Sequence, residues 1–145
     1  MPVPKYFLDT NIFLRPIAKD SPAKVKDCEA LLTLIKNRRL KAVTSNLIFA
    51  EFVWTCQSLY GLSKPLISEC LKRILNYKNI QISDRFQPKL ALDLWQKKKI
   101  KFIDALIASD VRIKNKQLII ISYDKDFDKI GVIRQEPQDI IKNFE

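Results

Sequence analysis

Short apolar runs, each followed by a longer stretch of helical period, limit this chain more than any other feature. Tyr6-Phe7-Leu8, Ala42-Val43, Ile80-Gln81-Ile82 and Leu118-Ile119-Ile120-Ile121 read as strands. The last is the strongest, with four β-favouring apolar residues between Gln117 and Ser122. Parallel neighbours need a long crossover, and a crossover helix covers a face of the sheet. Short strands that are apolar on both faces and separated by helices therefore specify a parallel sheet covered on both sides, an α/β fold of three α/β/α layers. No linker, repeat or low-complexity tract interrupts the 145 residues, a common length for one domain, so a single domain over 1–145 is expected.

The intervening segments carry helix signals. Asn11 to Ile17 reads as a short helix broken by Pro16. Ser21-Pro22 starts the next, with Val25, Cys28, Leu31, Leu32 and Ile35 at helical spacing and Asn37-Arg38-Arg39 closing it. Thr44-Ser45 caps a third helix that runs to Gly61, a left-handed stop. Ser63 and Pro65 open a fourth. Further helices are expected from Phe86 to Lys98 and from Phe102 to Lys114. Gly131-Val132-Ile133 and a last helix from Pro137 complete the chain.

Two counts remove whole classes of chemistry. There is no histidine, which excludes Ser/His/Asp and Cys/His nucleophiles, a histidine base and HExxH zinc sites. There are two glycines, Gly61 and Gly131, too few for GxGxxG or GxxxxGK[ST] phosphate loops. Cys28, Cys56 and Cys70 lack CxxC spacing and fall in apolar helical patterns, as reduced packed thiols of a cytoplasmic protein do. Met1-Pro2-Val3-Pro4-Lys5 lacks the apolar core of a secretory signal, and no run is long enough to span a membrane. With 26 lysines and arginines against 16 acids the net charge is +10, which favours nucleic acid as a partner. Lys97-Lys98-Lys99-Ile100-Lys101 reads as a solvated helix end that can also grip a phosphate backbone, and Trp54 and Trp95 as core or oligomer packing.

Chemistry has to come from carboxylates. Glu51 is one acid within Leu47-Ile48-Phe49-Ala50-Glu51-Phe52-Val53-Trp54, and Asp104 repeats the pattern in Phe102-Ile103-Asp104-Ala105-Leu106-Ile107-Ala108. Ionised oxygens in such company need a cation or several donors. Asp9 ends the first strand and Asp124 follows the strongest one, and ligands of parallel sheets bind beyond those ends. Each acid also has a local reading: Asp9 as a helix cap, Glu51 on an exposed stripe, Asp104 as a first-turn acid, Asp124 and Asp126 as turn residues. Together, four convergent carboxylates repel strongly unless protonated or neutralised, and hard oxygen ligands point to Mg²⁺ or Mn²⁺.

These blocks carry a resemblance. Tyr6-Phe7-Leu8-Asp9-Thr10-Asn11-Ile12, Phe49-Ala50-Glu51-Phe52, the Asp104 block and Ser122-Tyr123-Asp124-Lys125-Asp126-Phe127 occur in the order of the PIN-domain ribonucleases. The sequence resembles especially the VapC-type toxins of bacterial and archaeal toxin–antitoxin pairs. The resemblance covers essentially the whole chain and implies a PIN-like fold and a metal-dependent endoribonuclease leaving 5′-phosphate and 3′-hydroxyl ends. It implies that Asp9, Glu51, Asp104 and Asp124 bind Mg²⁺ or Mn²⁺, with Asp126 as an accessory acid. Thr10, Asn11 and Ser122 then orient those carboxylates; Ser122 stands where threonine is commoner. RNA as substrate, a cognate antitoxin and a homodimer follow from the same resemblance. Three rivals remain open: a housekeeping RNA-processing nuclease of this family, a non-cleaving nucleic-acid-binding module, and a phosphoryl-transfer hydrolase starting from Asp9. Against the last, Asn11 stands where haloacid dehalogenase-like enzymes have a second Asp.

Overall fold

Five strands pair into one parallel sheet in the order β3-β2-β1-β4-β5. They are β1 (Tyr6–Leu8), β2 (Ala42–Thr44), β3 (Ile80–Ile82), β4 (Ile119–Ile121) and β5 (Arg134–Gln135). Tyr6 lies opposite both Ala42 and Ile119, Leu8 opposite Ile121, and Ala42 opposite Ile80. The computed structural model describes residues 5–145; Met1–Pro4, read above for a secretory signal, lie outside the described residues. The helices are α1 (Thr10–Ala18), α2 (Pro22–Lys36), α3 (Asn46–Ser58), α4 (Lys64–Leu75), α5 (Pro88–Lys97), α6 (Phe102–Ala108), α7 (Val111–Lys114) and α8 (Pro137–Ile141). Sheet and helices make the expected three-layer α/β/α arrangement.

The apolar runs explain why the sheet sits where it does. Phe7, Leu8, Val43, Ile120 and Ile121 are buried on the strands, and Phe52 and Phe127 close over them. The chain winds outward from β1 through β2 to β3, then returns to the other side of β1 for β4 and β5. The winding direction thus reverses between β1 and β4. At such a reversal the loops beyond the strand ends part and leave a crevice. The residues that follow these two strands are Asp9 and Ser122-Tyr123-Asp124.

Several boundaries differ from expectation, each for a local reason. Pro16 does not break α1: the helix continues to Ala18 and closes at Lys19 in the left-handed region (φ 52°). Ile12, Phe13 and Leu14 are buried just before it, so packing carries the helix past the lost amide donor. Thr44 is the last residue of β2, leaving Ser45 alone to accept the Ile48 N–H at 3.2 Å. Likewise Ser21 makes no side-chain cap for α2. The third helix ends at Ser58 rather than Gly61; Gly61 (φ 56°) instead turns the chain so that the Leu62 N–H reaches the Cys56 carbonyl at 3.0 Å. Helix α5 begins at Pro88, two residues after Phe86, since proline suits the first helical position.

The single helix expected over Phe102 to Lys114 is two. Ser109 turns its hydroxyl back to the Leu106 carbonyl at 2.5 Å, and Asp110 is extended and accepts the Arg112 N–H at 2.9 Å. A side chain that offers the backbone such a bond ends one helix and starts another. The fifth strand is Arg134–Gln135, just after Gly131-Val132-Ile133. The Ile133 and Gln135 carbonyls take the Ile120 and Ser122 amides at 2.9 and 3.0 Å, which brackets Arg134 in the pairing. Cys28 and Cys56 are buried, Cys70 is partly so, and all three are free thiols. Trp54 and Trp95 do not pack in the core: they are 60% and 46% exposed.

Candidate functional site

Asp9 joins β1 to α1. Its amide extends the ladder to the Ile121 carbonyl at 3.1 Å, while Oδ1 accepts the Thr10 N–H at 2.8 Å and so caps α1. Its other oxygen accepts the Ser122 hydroxyl at 2.5 Å. The Ser122 oxygen in turn accepts the Asp124 N–H at 2.9 Å. One hydroxyl therefore fastens the end of β1 to the end of β4. Across the crevice, Thr10 Oγ1 donates to Glu51 Oε1 on α3, and Thr44 Oγ1 holds the Leu8 carbonyl at 3.1 Å. Asp104 comes from the first turn of α6. Asp124 caps the 3₁₀ turn Lys125–Lys129 by accepting the Asp126 N–H at 3.0 Å.

The four acids singled out in the sequence line one cavity of about 330 Å³, together with Thr10, Asn11 and Lys101. The capping readings of Asp9 and Asp124 hold as well, because each caps with one oxygen only; the other Asp9 oxygen takes the Ser122 hydroxyl and the other Asp124 oxygen meets Lys101. Among the described residues, ligand oxygens of Asp104, Asp124 and Asp126 lie within 4.8 Å of one another. Asp9 and Glu51 line the cavity without joining that set, and Asp126 also pairs with Lys129 at 2.9 Å.

The electrostatics follow from this crowding. Burial pushes the Asp9 carboxyl up to about 6 against the opposing Ser122 and Thr10 hydrogen bonds, with Glu51 and Asp124 adding repulsion. Asp104 goes further, up to about 8: burial comes first, then the Asp124 charge, partly offset by Lys101. Its Oδ2 is buried with no hydrogen-bond partner. Burial also works against the Asp124 charge, but the Asp126 amide, Lys101 and the Asp104 hydrogen bond outweigh it, and its carboxyl lies below the ordinary value. Burial and mutual repulsion thus drive the two neighbouring carboxyls in opposite directions, Asp104 up and Asp124 down.

Sequence reasoning missed several residues here. In the sequence Lys101 is the end of a basic run, yet its Nζ lies 3.2 Å from Asp124 Oδ2. Burial alone would lower its pKa; Asp104, Asp124 and Glu51 raise it instead. Trp54, Leu59 and Tyr60 form an exposed apolar wall of the same cavity. Trp54 follows Glu51 by three residues on α3, so the two share a helical face, and that spacing was visible in the sequence. Arg134 grips Asp128 through two nitrogens at 3.0 and 3.2 Å and reaches the Ser122 carbonyl at 3.0 Å and Glu136 at 2.8 Å. It thereby straps β4 and the 3₁₀ turn that carry Ser122 and Asp124, and nothing in its local sequence announces this.

Comparison with known proteins bears on the whole arrangement. A family model described as PIN domain matches residues 6–133. No curated protein matches the chain. Among solved structures, VapBC2 from Rickettsia felis, bound to a DNA fragment from their promoter, superposes with a TM-score of 0.61 at 24% identity, covering 90% of this chain and 97% of that one. PAE2754 from Pyrobaculum aerophilum gives 0.68 at 14% identity over 97% and 94%. VapC20 of Mycobacterium tuberculosis, a sarcin–ricin loop cleaving toxin, gives 0.64 at 15% identity over 89% and 97%. At these identities the likeness speaks for the fold.

Proposed function

The chain belongs to the PIN domain family, and from that premise we propose that it is an endoribonuclease that works with Mg²⁺ or Mn²⁺. The observation that carries this reading is the Asp104 oxygen buried without a partner beside Asp124, in a cavity whose other acids are Asp9 and Glu51. Leaving a buried acceptor unpaired costs about 1–3 kcal/mol. The donor set is all oxygen, with no histidine anywhere and no cysteine among the lining residues, which suits a hard cation rather than zinc.

Asp104 and Asp124 would hold the ion, with Asp9 and Glu51 beside them and Asp126 within reach of the same position. A divalent ion there supplies charge to bind the scissile phosphate and acidity to an attacking water. The chain's own residues do the positioning. Ser122 and the Thr10 amide fix both Asp9 oxygens, and the Thr10 hydroxyl holds one Glu51 oxygen, leaving the other free to accept a hydrogen bond. The net charge of +10 over the whole chain draws RNA phosphates and makes affinity fall with salt.

The toxin branch is supported by the shared fold of VapC20 and VapBC2. On this reading the protein is a cytoplasmic homodimer whose partner antitoxin silences it and whose free form blocks translation by cutting RNA. Among the described residues no helix is long and apolar enough to cross a membrane.

The test is RNA cleavage by purified protein. Activity is expected with Mn²⁺ and none with EDTA, and Asp104→Asn is expected to lose about 10²–10³-fold without unfolding. Cleavage in EDTA, or an Asp104→Asn rate equal to the parent's, ends the proposal.

A further inference from the structure

Lys101 is an electrostatic misfit as a helix residue. It occupies the N-cap of α6, where a cation faces the positive end of the peptide dipoles, and its side chain makes no cap bond. The lysine run before it behaves ordinarily, with Lys97 pairing back along α5 to Asp93 at 3.1 Å. Lys101 instead sends its ammonium into the acid cavity and stops 3.2 Å from Asp124. Its backbone is tied to that acid's neighbour: the Lys101 carbonyl accepts the Asp104 and Ala105 amides, both at 3.1 Å. The side chain is nonetheless 63% exposed, and among the described residues its tip is held by the Asp124 carboxylate.

We propose that Lys101 is a built-in counter-ion for the acid cluster, and that binding of the divalent ion is an exchange in which the ammonium leaves Asp124. This rests on the metal-dependent reading above. A single positive charge cannot neutralise Asp9, Glu51, Asp104 and Asp124 together, and the Asp104 Oδ2 remains without a partner. The lysine thus steadies the metal-free crevice while leaving a drive for a more highly charged ion. An ordinary exposed ion pair would be nearly neutral in stability and blind to metal. An ammonium competing for the same carboxylate is not, because charge repulsion and the shared oxygen both oppose the incoming ion.

Calorimetric titration of Mn²⁺ into the full-length parent, Lys101→Met and Lys101→Arg decides the matter. Lys101→Met should bind Mn²⁺ about tenfold tighter, and Lys101→Arg, which keeps the charge, should stay within about threefold of the parent. In EDTA, Lys101→Met should melt below the parent, and saturating Mn²⁺ should close that gap. Equal or weaker Mn²⁺ binding by Lys101→Met, or an unchanged melting temperature in EDTA, overturns the counter-ion role and leaves the nuclease reading standing. If no variant binds Mn²⁺, both fall.

Discussion

Asp104 and Asp110 lie six residues apart, both buried, and the fold provides for them in opposite ways. Asp110 has a fully covered side chain and a complete set of partners: the Arg112 N–H at 2.9 Å, and the Arg112 guanidinium at 3.1 and 2.7 Å. Arg112 also reaches the Ser83 hydroxyl at 3.2 Å, and Ser109 next door takes the Gln87 N–H at 2.8 Å. That network fastens the approach to α5 onto the α6–α7 junction. Asp104 has an oxygen that no donor meets, faces Asp124, and opens on a cavity. A buried acid whose partners come from its own fold is a structural element; one left incomplete beside a like charge is poised for something not in the chain.

The sharpest way to break this contrast is to strip Asp110 of its partner. Arg112→Ala leaves a buried charge unpaired and should cost about 3–5 kcal/mol in urea unfolding, whereas RNA cleavage per folded molecule should be unchanged. A stable Arg112→Ala protein would make the network ornamental.

The next effect is a pH dependence belonging to the incomplete side alone. The folded-state values of Asp9 (about 6) and Asp104 (about 8) stand above the ordinary 3.8. Between those limits the folded protein binds more protons than the unfolded chain, so stability present near pH 4 is lost as pH rises through 6 to 8. In EDTA, unfolding free energy should fall by on the order of 3 kcal/mol from pH 6 to pH 9. Mn²⁺ should flatten the slope, because it stabilises the ionised acids. A flat profile in EDTA would remove the electrostatic half of the comparison.

The smallest effect belongs to the exposed wall. Trp54→Ala should shift stability by no more than about 0.5 kcal/mol by thermal unfolding, since its side chain is mostly in water despite an apolar sequence setting. A large loss would mean that the wall is structural after all.

The acids were legible because a carboxylate among Phe, Ile, Ala and Leu is conspicuous at any distance along the chain. Asp9 and Asp124 also follow strands that their apolar runs announce. Thr10 and Ser122 were readable only through the resemblance, since a hydroxyl beside an acid is common. The exposure of Trp54 was not legible because α3 is apolar almost all round, and periodicity cannot say which face the sheet will cover. Lys101 stayed hidden for a related reason: where a long side chain ends depends on how α5 and α6 pack, not on its neighbours in sequence.

Local composition by itself decided that this protein would bury a short parallel sheet between helices, and that any chemistry would be done by carboxylates. Apolar spacing and residue inventory act over a few residues and need no knowledge of the rest. Tertiary structure alone decided which buried acid would be satisfied and which left incomplete. Arg112 meets Asp110 through one tight turn, while Asp9, Glu51, Asp104 and Asp124 come from four separate elements that meet only where the sheet reverses its winding. The energy of like charges brought together exists only once the chain has closed, so it could be inferred from the sequence but not read there.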